Sequence, residues 1–109
     1  MEREMAVQLV GVLEAEVNNG GFDQFFFNSS GDRTAEIIDA LDMIGAAKTA
    51  DIVRRAASKF PDGMPPADCK ARQVVLVDTV SPDADAFEEL DQEFYGRPDD
   101  LEELLKKIR

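Results

Sequence analysis

Carboxylates at helical intervals are the side chains of this sequence best placed to do chemistry, and that chemistry is electrostatic. Asp32, Glu36, Asp39 and Asp42 follow one another three or four residues apart, and Asp85, the adjacent Glu88 and Glu89, and Gln92 beyond them form a second set. On helices, the first row lies opposite Ile37, Leu41 and Ile44, and the second opposite Phe87, Leu90 and Phe94. Successive charges then stand roughly 5–6 Å apart along the axis at the α-helical rise, of the same order as a row of DNA phosphates. Neither stripe is expected to be relieved by an interleaved lysine or arginine, so like charges repel at a cost of about a few tenths of a kcal/mol per pair. Two readings stay open: a solvated polar face, or an electrostatic copy of a phosphate row offered to a cationic partner.

The second candidate is the run Asn18-Asn19-Gly20-Gly21-Phe22-Asp23-Gln24-Phe25-Phe26-Phe27-Asn28. Four of the seven phenylalanines fall within six residues here, interleaved with amides. A helical turn or two would place Phe22, Phe25 and Phe26 on one face, as an apolar plug. Amide side chains both donate and accept, so Asn18, Asn19, Gln24 and Asn28 could satisfy loose backbone groups where two helices meet. The structural reading is therefore a joint between helices. The functional alternative is a small-molecule or enzymatic pocket floored by aromatics and lined by these amides, preferring neutral or cationic ligands.

Other chemistry is absent. With no histidine, no tryptophan and the single Cys69, the common zinc, Cys–His and Ser–His arrangements are unavailable. No Walker or GxGxxG sequence offers a phosphate cradle. Asp83-Ala84-Asp85 begins like a calcium loop but places Phe87 fifth, Glu88 where glycine is required and Phe94 where a closing glutamate is required. Carboxylate neighbours such as Glu14 with Glu16, or Asp99 with Asp100, arise by chance among 23 acids. No catalytic residue, metal ligand or cofactor is expected.

Net charge bounds the partners. Twelve lysines and arginines against 23 acids give −11, beyond the ~2–8 typical of a small designed domain. The imbalance is uneven: residues 1–45 carry −7, residues 46–82 carry +2, residues 83–103 carry −9 and the tail 104–109 carries +3. Such a chain repels nucleic acid and anionic membranes and attracts basic protein surfaces. The first residues lack a basic region leading into an apolar stretch, and no run approaches the ~20 apolar residues of a membrane span. A cytoplasmic protein free of internal disulfides is the expectation.

The elements that must position these residues read as helices throughout. Met5, Leu9, Leu13 and Val17 form one stripe, with Asn18-Asn19-Gly20-Gly21 as its stop. Ile37, Ile38, Leu41 and Ile44 form a second, opened by Ser30-Gly31-Asp32 and closed at Gly45. A third runs from Lys48 to Phe60 and buries Ala50, Val53, Ala57 and Phe60. Pro65-Pro66 is expected to open a fourth. That element contains Val74-Val75-Leu76-Val77, read as helix because no partner strand exists. Ser81-Pro82 is expected to open a fifth helix, ending at Gly96, and a sixth follows Pro98 with Glu102–Lys106 and Glu103–Lys107 pairs. The 109 residues are thus predicted to form one all-α domain of five to six helices.

Glu16-Val17-Asn18-Asn19-Gly20-Gly21-Phe22-Asp23-Gln24-Phe25-Phe26-Phe27-Asn28-Ser29-Ser30-Gly31 resembles the signature of the DMP-type bacterial DNA-mimic proteins. Phe60-Pro61-Asp62-Gly63, Phe94-Tyr95 and Pro98-Asp99-Asp100-Leu101 are similar to further family landmarks, so the resemblance covers nearly the whole chain. It implies an all-α fold, a homodimer among its assemblies, and extra residues before the first helix in many relatives. For the founding member it implies an acidic surface that imitates DNA and occupies a helix-turn-helix transcription regulator. The matched motif contains none of the mimic's scattered carboxylates. The reading that follows is a non-enzymatic protein docking on a basic, DNA-binding regulator through Asp32, Glu36, Asp39, Asp42, Asp85, Glu88 and Glu89. An immunity-type inhibitor of a basic toxin shares the physics.

Overall fold

Helical periodicity carries through the computed structural model, which describes residues 1–108: six α-helices and, among the described residues, no strand. The first, α1 (Arg3–Phe27), buries Ala6, Leu9, Val10, Leu13 and Val17, while Met5 of the expected stripe stays exposed. The two glycines do not end this helix; they bend it. Gly20 and Gly21 alone leave helical φ/ψ, and Phe22–Phe27 resume the helix beyond them with Phe22, Phe25 and Phe26 fully buried.

A 3-10 turn, Ser29–Arg33, then leads into α2 (Thr34–Met43). Asp32 therefore sits in the turn, not on the helix. Gly45 turns the chain into α3 (Ala47–Ala57), which buries Ala50, Val53 and Ala57, with Phe60 buried just beyond it. Pro65-Pro66 opens no helix. The cap is Asp68, whose carboxylate accepts from Ala71 N (2.8 Å) and starts α4 (Cys69–Val75). A wider π-type turn, Leu76–Val80, continues it, so the valine run is helical, with Leu76 buried and Val74 and Val77 exposed.

Nor does Ser81-Pro82 start the fifth helix. Ala84 takes a left-handed φ of 57°, which an α-helix does not admit, and buried Ser81 instead accepts from Ala86 N through its hydroxyl (3.2 Å). The helix α5 spans Glu88–Tyr95, leaving Asp85 in the preceding turn, and α6 spans Leu101–Ile108.

The second half of α1 carries the core. Rings of Phe22 and Phe26 meet Phe87, Phe94 and Phe60 at centroid distances of 4.9–6.1 Å, several of them edge to face. Around this box α1 packs on α2, α4 and α5, and α3 lies between α2 and α5. Leu101 and Leu105 of α6 close the core, with Ile108 beside Val7 of α1. The radius of gyration is 13.1 Å, close to the ~13 Å expected of a single domain this size. No helix is long and apolar enough to cross a membrane.

Candidate functional site

The bend in α1 frees backbone groups that a straight helix would pair, and two of them, Phe22 N and Val17 O, are taken up by α5. Gly21 adopts φ 73° and ψ −172°, a region essentially reserved for glycine, and a Cβ there would lie 2.4 Å from Asp91 Oδ2. Past it, Phe22 N donates to Asp91 Oδ1 at 2.8 Å, and the Tyr95 hydroxyl donates to Val17 O at 2.9 Å. Two residues of α5 therefore splint the bend. On its other side Glu16 Oε2 accepts from Gln24 Nε2 (2.6 Å) and Asn28 Nδ2 (3.1 Å), while Asn19 Nδ2 donates to Gln24 Oε1 (3.3 Å). The structure thus gathers Asn19, Gln24 and Asn28 around Glu16. Asn18 takes no part and faces a separate cleft.

The end of α1 is closed by one side chain. Arg72, wholly buried, donates to Phe26 O (2.7 Å), Asn28 O (2.8 Å), Pro66 O (3.1 Å), Ala67 O (3.2 Å) and Asp32 Oδ1 (2.8 Å). Ser30 Oγ covers Phe25 O and Gln73 Nε2 covers Phe27 O. Every carbonyl from Phe25 to Asn28 is thereby satisfied. Gly31 leaves room for this guanidinium, since a Cβ there would stand 2.6 Å from Arg72 Nε. The amides and glycines of the motif therefore act as a joint, and Phe22, Phe25 and Phe26 lie inside the core, not along a pocket.

Sequence reasoning missed Glu16, Arg72, Asp91 and Tyr95 as members of this joint. The only signal for Arg72 was a cation set between Ala71 and the Val74-Val75 run. For Asp91 there was none, because it looked like one more acid on a charged helix.

The first carboxylate row is largely neutralised, contrary to expectation. Asp32 pairs with Arg72, Glu36 with Arg33 at 2.5 Å, and Asp42 with Arg54 of α3. The Arg33 guanidinium holds the exposed Glu36 carboxyl below its ordinary range. Of that row only Asp39 has no ion pair among the described residues. Tertiary neighbours supply Arg54 and Arg72, which the spacing of the acids could not reveal.

The second row differs. Asp85, Glu88 and Glu89 make no ion pair among the described residues. They line one side of a shallow groove of about 1010 Å³, opposite Arg55, Ser58 and Lys59. Arg55 is itself held by Asp51 (2.9 Å) and Glu93 (2.7 Å), and so is little free to answer them. Behind the row stand half-buried Asp23 and Asp91. Burial raises both carboxyls above their ordinary range. For Asp23 a Ser81 hydrogen bond opposes the rise and the charge of Asp85 adds to it; for Asp91 the Phe22 N–H opposes it and Asp23 and Glu88 add to it. Asp23, Asp85, Glu88 and Asp91 thus form a like-charged group, none of whose members makes an ion pair among the described residues. Among the described residues, no cluster of three or more potential ligands is arranged to hold a metal ion.

The family model described as DMP19-like protein matches residues 2–108. Comparison with curated proteins and with solved structures gives no match.

Proposed function

The chain belongs to the DMP19-like protein family, and from that premise we propose that it is a non-catalytic, acidic binding protein that occupies the cationic face of a DNA-binding regulator. The observation that carries this reading is the unequal treatment of the two carboxylate rows. In the row that runs from the turn before α2 along that helix, the fold has turned Asp32, Glu36 and Asp42 toward arginines of its own. At the start of α5 it leaves Asp85, Glu88 and Glu89 unpaired and sets Asp23 and Asp91 behind them. Charges held together without ion-pair partners create a concentrated negative potential, which steers a basic partner and is relieved by it. The docking face is therefore the α5 row, while Asp32, Glu36 and Asp42 serve mainly within the fold and Asp39 is a further unpaired acid on α2.

The acids in the first turn of α5 also favour the helix dipole, by about 0.3–1 kcal/mol each at the surface. Neutralising them removes that benefit and their mutual repulsion together, so stability should change little. A tagged chain is used to capture a DNA-binding protein, which is then purified and measured against two variants. Asp85→Asn, Glu88→Gln and Glu89→Gln together should slow association by about tenfold or more at low salt, with the difference shrinking as salt rises. Glu36→Gln with Asp42→Asn should change association far less. Duplex DNA should displace the wild-type chain. Equal weakening by both sets would reduce the effect to net charge, and failure of DNA to compete would refute the mimic reading. A basic toxin as the captured partner would instead favour an inhibitor acting through the same row.

A further inference from the structure

A cleft beside the bend in α1 is lined by several polar groups, those of Glu14, Asn18 and Arg97 among them, that make no side-chain hydrogen bond or ion pair among the described residues. Glu14 and Asn18, one helical turn apart on α1, form one wall. Phe94 and Tyr95 at the end of α5, Arg97 and Asp99 in the connection to α6 and Leu101 at the start of α6 form the rest, enclosing about 330 Å³. That volume is at the lower end of the ~300–1,000 Å³ range of small-molecule sites. Phe94 and Leu101 are buried and supply an apolar floor.

The polar lining is what distinguishes this place. Asn19, Gln24 and Asn28 are all bonded across the bend, whereas Asn18 is left out. Glu14 and Arg97 lie close enough to feel each other's charge yet form no ion pair among the described residues. Asp99 Oδ2 accepts from both Thr49 N (2.7 Å) and Thr49 Oγ1 (2.8 Å), which leaves Asp99 Oδ1 free to face the cleft. Arg97 also takes a left-handed φ of 54°, a conformation that costs energy for any residue but glycine and that recurs at ligand sites.

We propose that this cleft binds an amino-acid-sized zwitterion, its ammonium on Glu14 and Asp99 and its carboxylate on Arg97 and the Asn18 amide. Two carboxylates facing one guanidinium discriminate by charge. A simple cation meets Arg97, and a simple anion meets two carboxylates. A molecule carrying both charges satisfies all three, and the Phe94–Leu101 floor accommodates its side chain. The half-buried state of Glu14 strengthens its attraction for an ammonium relative to the exposed acids elsewhere. The site uses the last turn of α5 and the docking row its first, so either can fail without the other.

The test is a titration of the isotope-labelled chain with a panel of the proteinogenic L-amino acids, read by backbone amide chemical shifts. At least one should give saturable shifts confined to the neighbourhood of Asn18, Arg97 and Leu101. Its amide, lacking the carboxylate, and its des-amino acid, lacking the ammonium, should each bind about tenfold more weakly, as expected for loss of one charge-assisted contact. Arg97→Ala and Glu14→Gln should weaken binding by about the same factor. Arg97 is exposed, so its variant should keep its unfolding midpoint. No saturable shift with any member at millimolar concentration overturns the proposal. Equal binding of the amino acid and its amide overturns it too, because the surface would then be collecting cations without recognising a zwitterion.

Discussion

Replacing Arg72 with methionine keeps much of the buried side-chain volume but removes the guanidinium that closes α1. The backbone carbonyls of Phe26, Pro66 and Ala67 then lose their donor, and that of Asn28 keeps only the Gly31 N–H. A buried carbonyl left without a partner costs about 1–3 kcal/mol. Three of these four bonds are only partly buried, so water can reach their acceptors; a working value of about 1 kcal/mol for each of the three orphaned carbonyls, and less for Asn28, gives about 3–4 kcal/mol in all. The lost pair with Asp32, whose side chain is 40% exposed, adds at most about 1 kcal/mol. Removing a buried cation returns part of its desolvation cost, so the net loss should be about 3–4 kcal/mol. For a domain whose whole stability is about 5–15 kcal/mol, that is a large share. Urea unfolding followed by far-UV circular dichroism measures it, with an unchanged slope showing that the denatured state is comparable. Asp32→Asn is the companion variant and should cost no more than about 1 kcal/mol. A loss below about 1 kcal/mol for Arg72→Met would mean the carbonyls are satisfied without it. Equal losses for the two variants would mean that charge, not carbonyl capping, is what Arg72 supplies.

Two further outcomes follow from the same joint. Gly21→Ala should destabilise by about 2–3 kcal/mol, because the glycine-only conformation and the contact with Asp91 both resist a Cβ; the Phe22 amide should also lose protection from hydrogen exchange, and an unchanged melting temperature would contradict the geometry. Stability should rise as pH falls from neutral, since Glu14, Asp23 and Asp91 have folded carboxyls raised above their unfolded values of 4.5, 3.8 and 3.8. A raised acid contributes stability that is complete below its unfolded value and lost as pH rises through its folded one. Further acidification reverses the trend, because Glu36 and Glu93 have carboxyls lowered by Arg33 and Arg55 and lose that contribution as they protonate. Urea midpoints across this range should therefore peak on the acid side of neutrality, and a steady fall from neutral pH downward would refute the assignment.

What the sequence determined by itself was whatever depends on residues a few positions apart. Four-residue apolar spacing named the helices, the Phe22–Phe25–Phe26 spacing named the buried face, and Gly20-Gly21 marked a break, because helical periodicity and glycine conformation are local properties. The missing histidine and the single cysteine excluded whole classes of chemistry by composition alone. Starts of helices were less legible. Pro65-Pro66 and Ser81-Pro82 carry sound N-terminal signals, but Asp68 and the left-handed Ala84 moved the helices downstream. Only the tertiary structure decided that the glycine break is a bend within one helix. The groups that hold it, Asp91 and Tyr95, come from 69 and 78 residues further along the chain. It alone also decided which acids remain free. Asp32 and Arg72 are 40 residues apart, and Asp42 and Arg54 are 12 apart. A row of carboxylates looks alike in sequence whether or not an arginine from another helix lies against it, because electrostatic energy depends on distance in space.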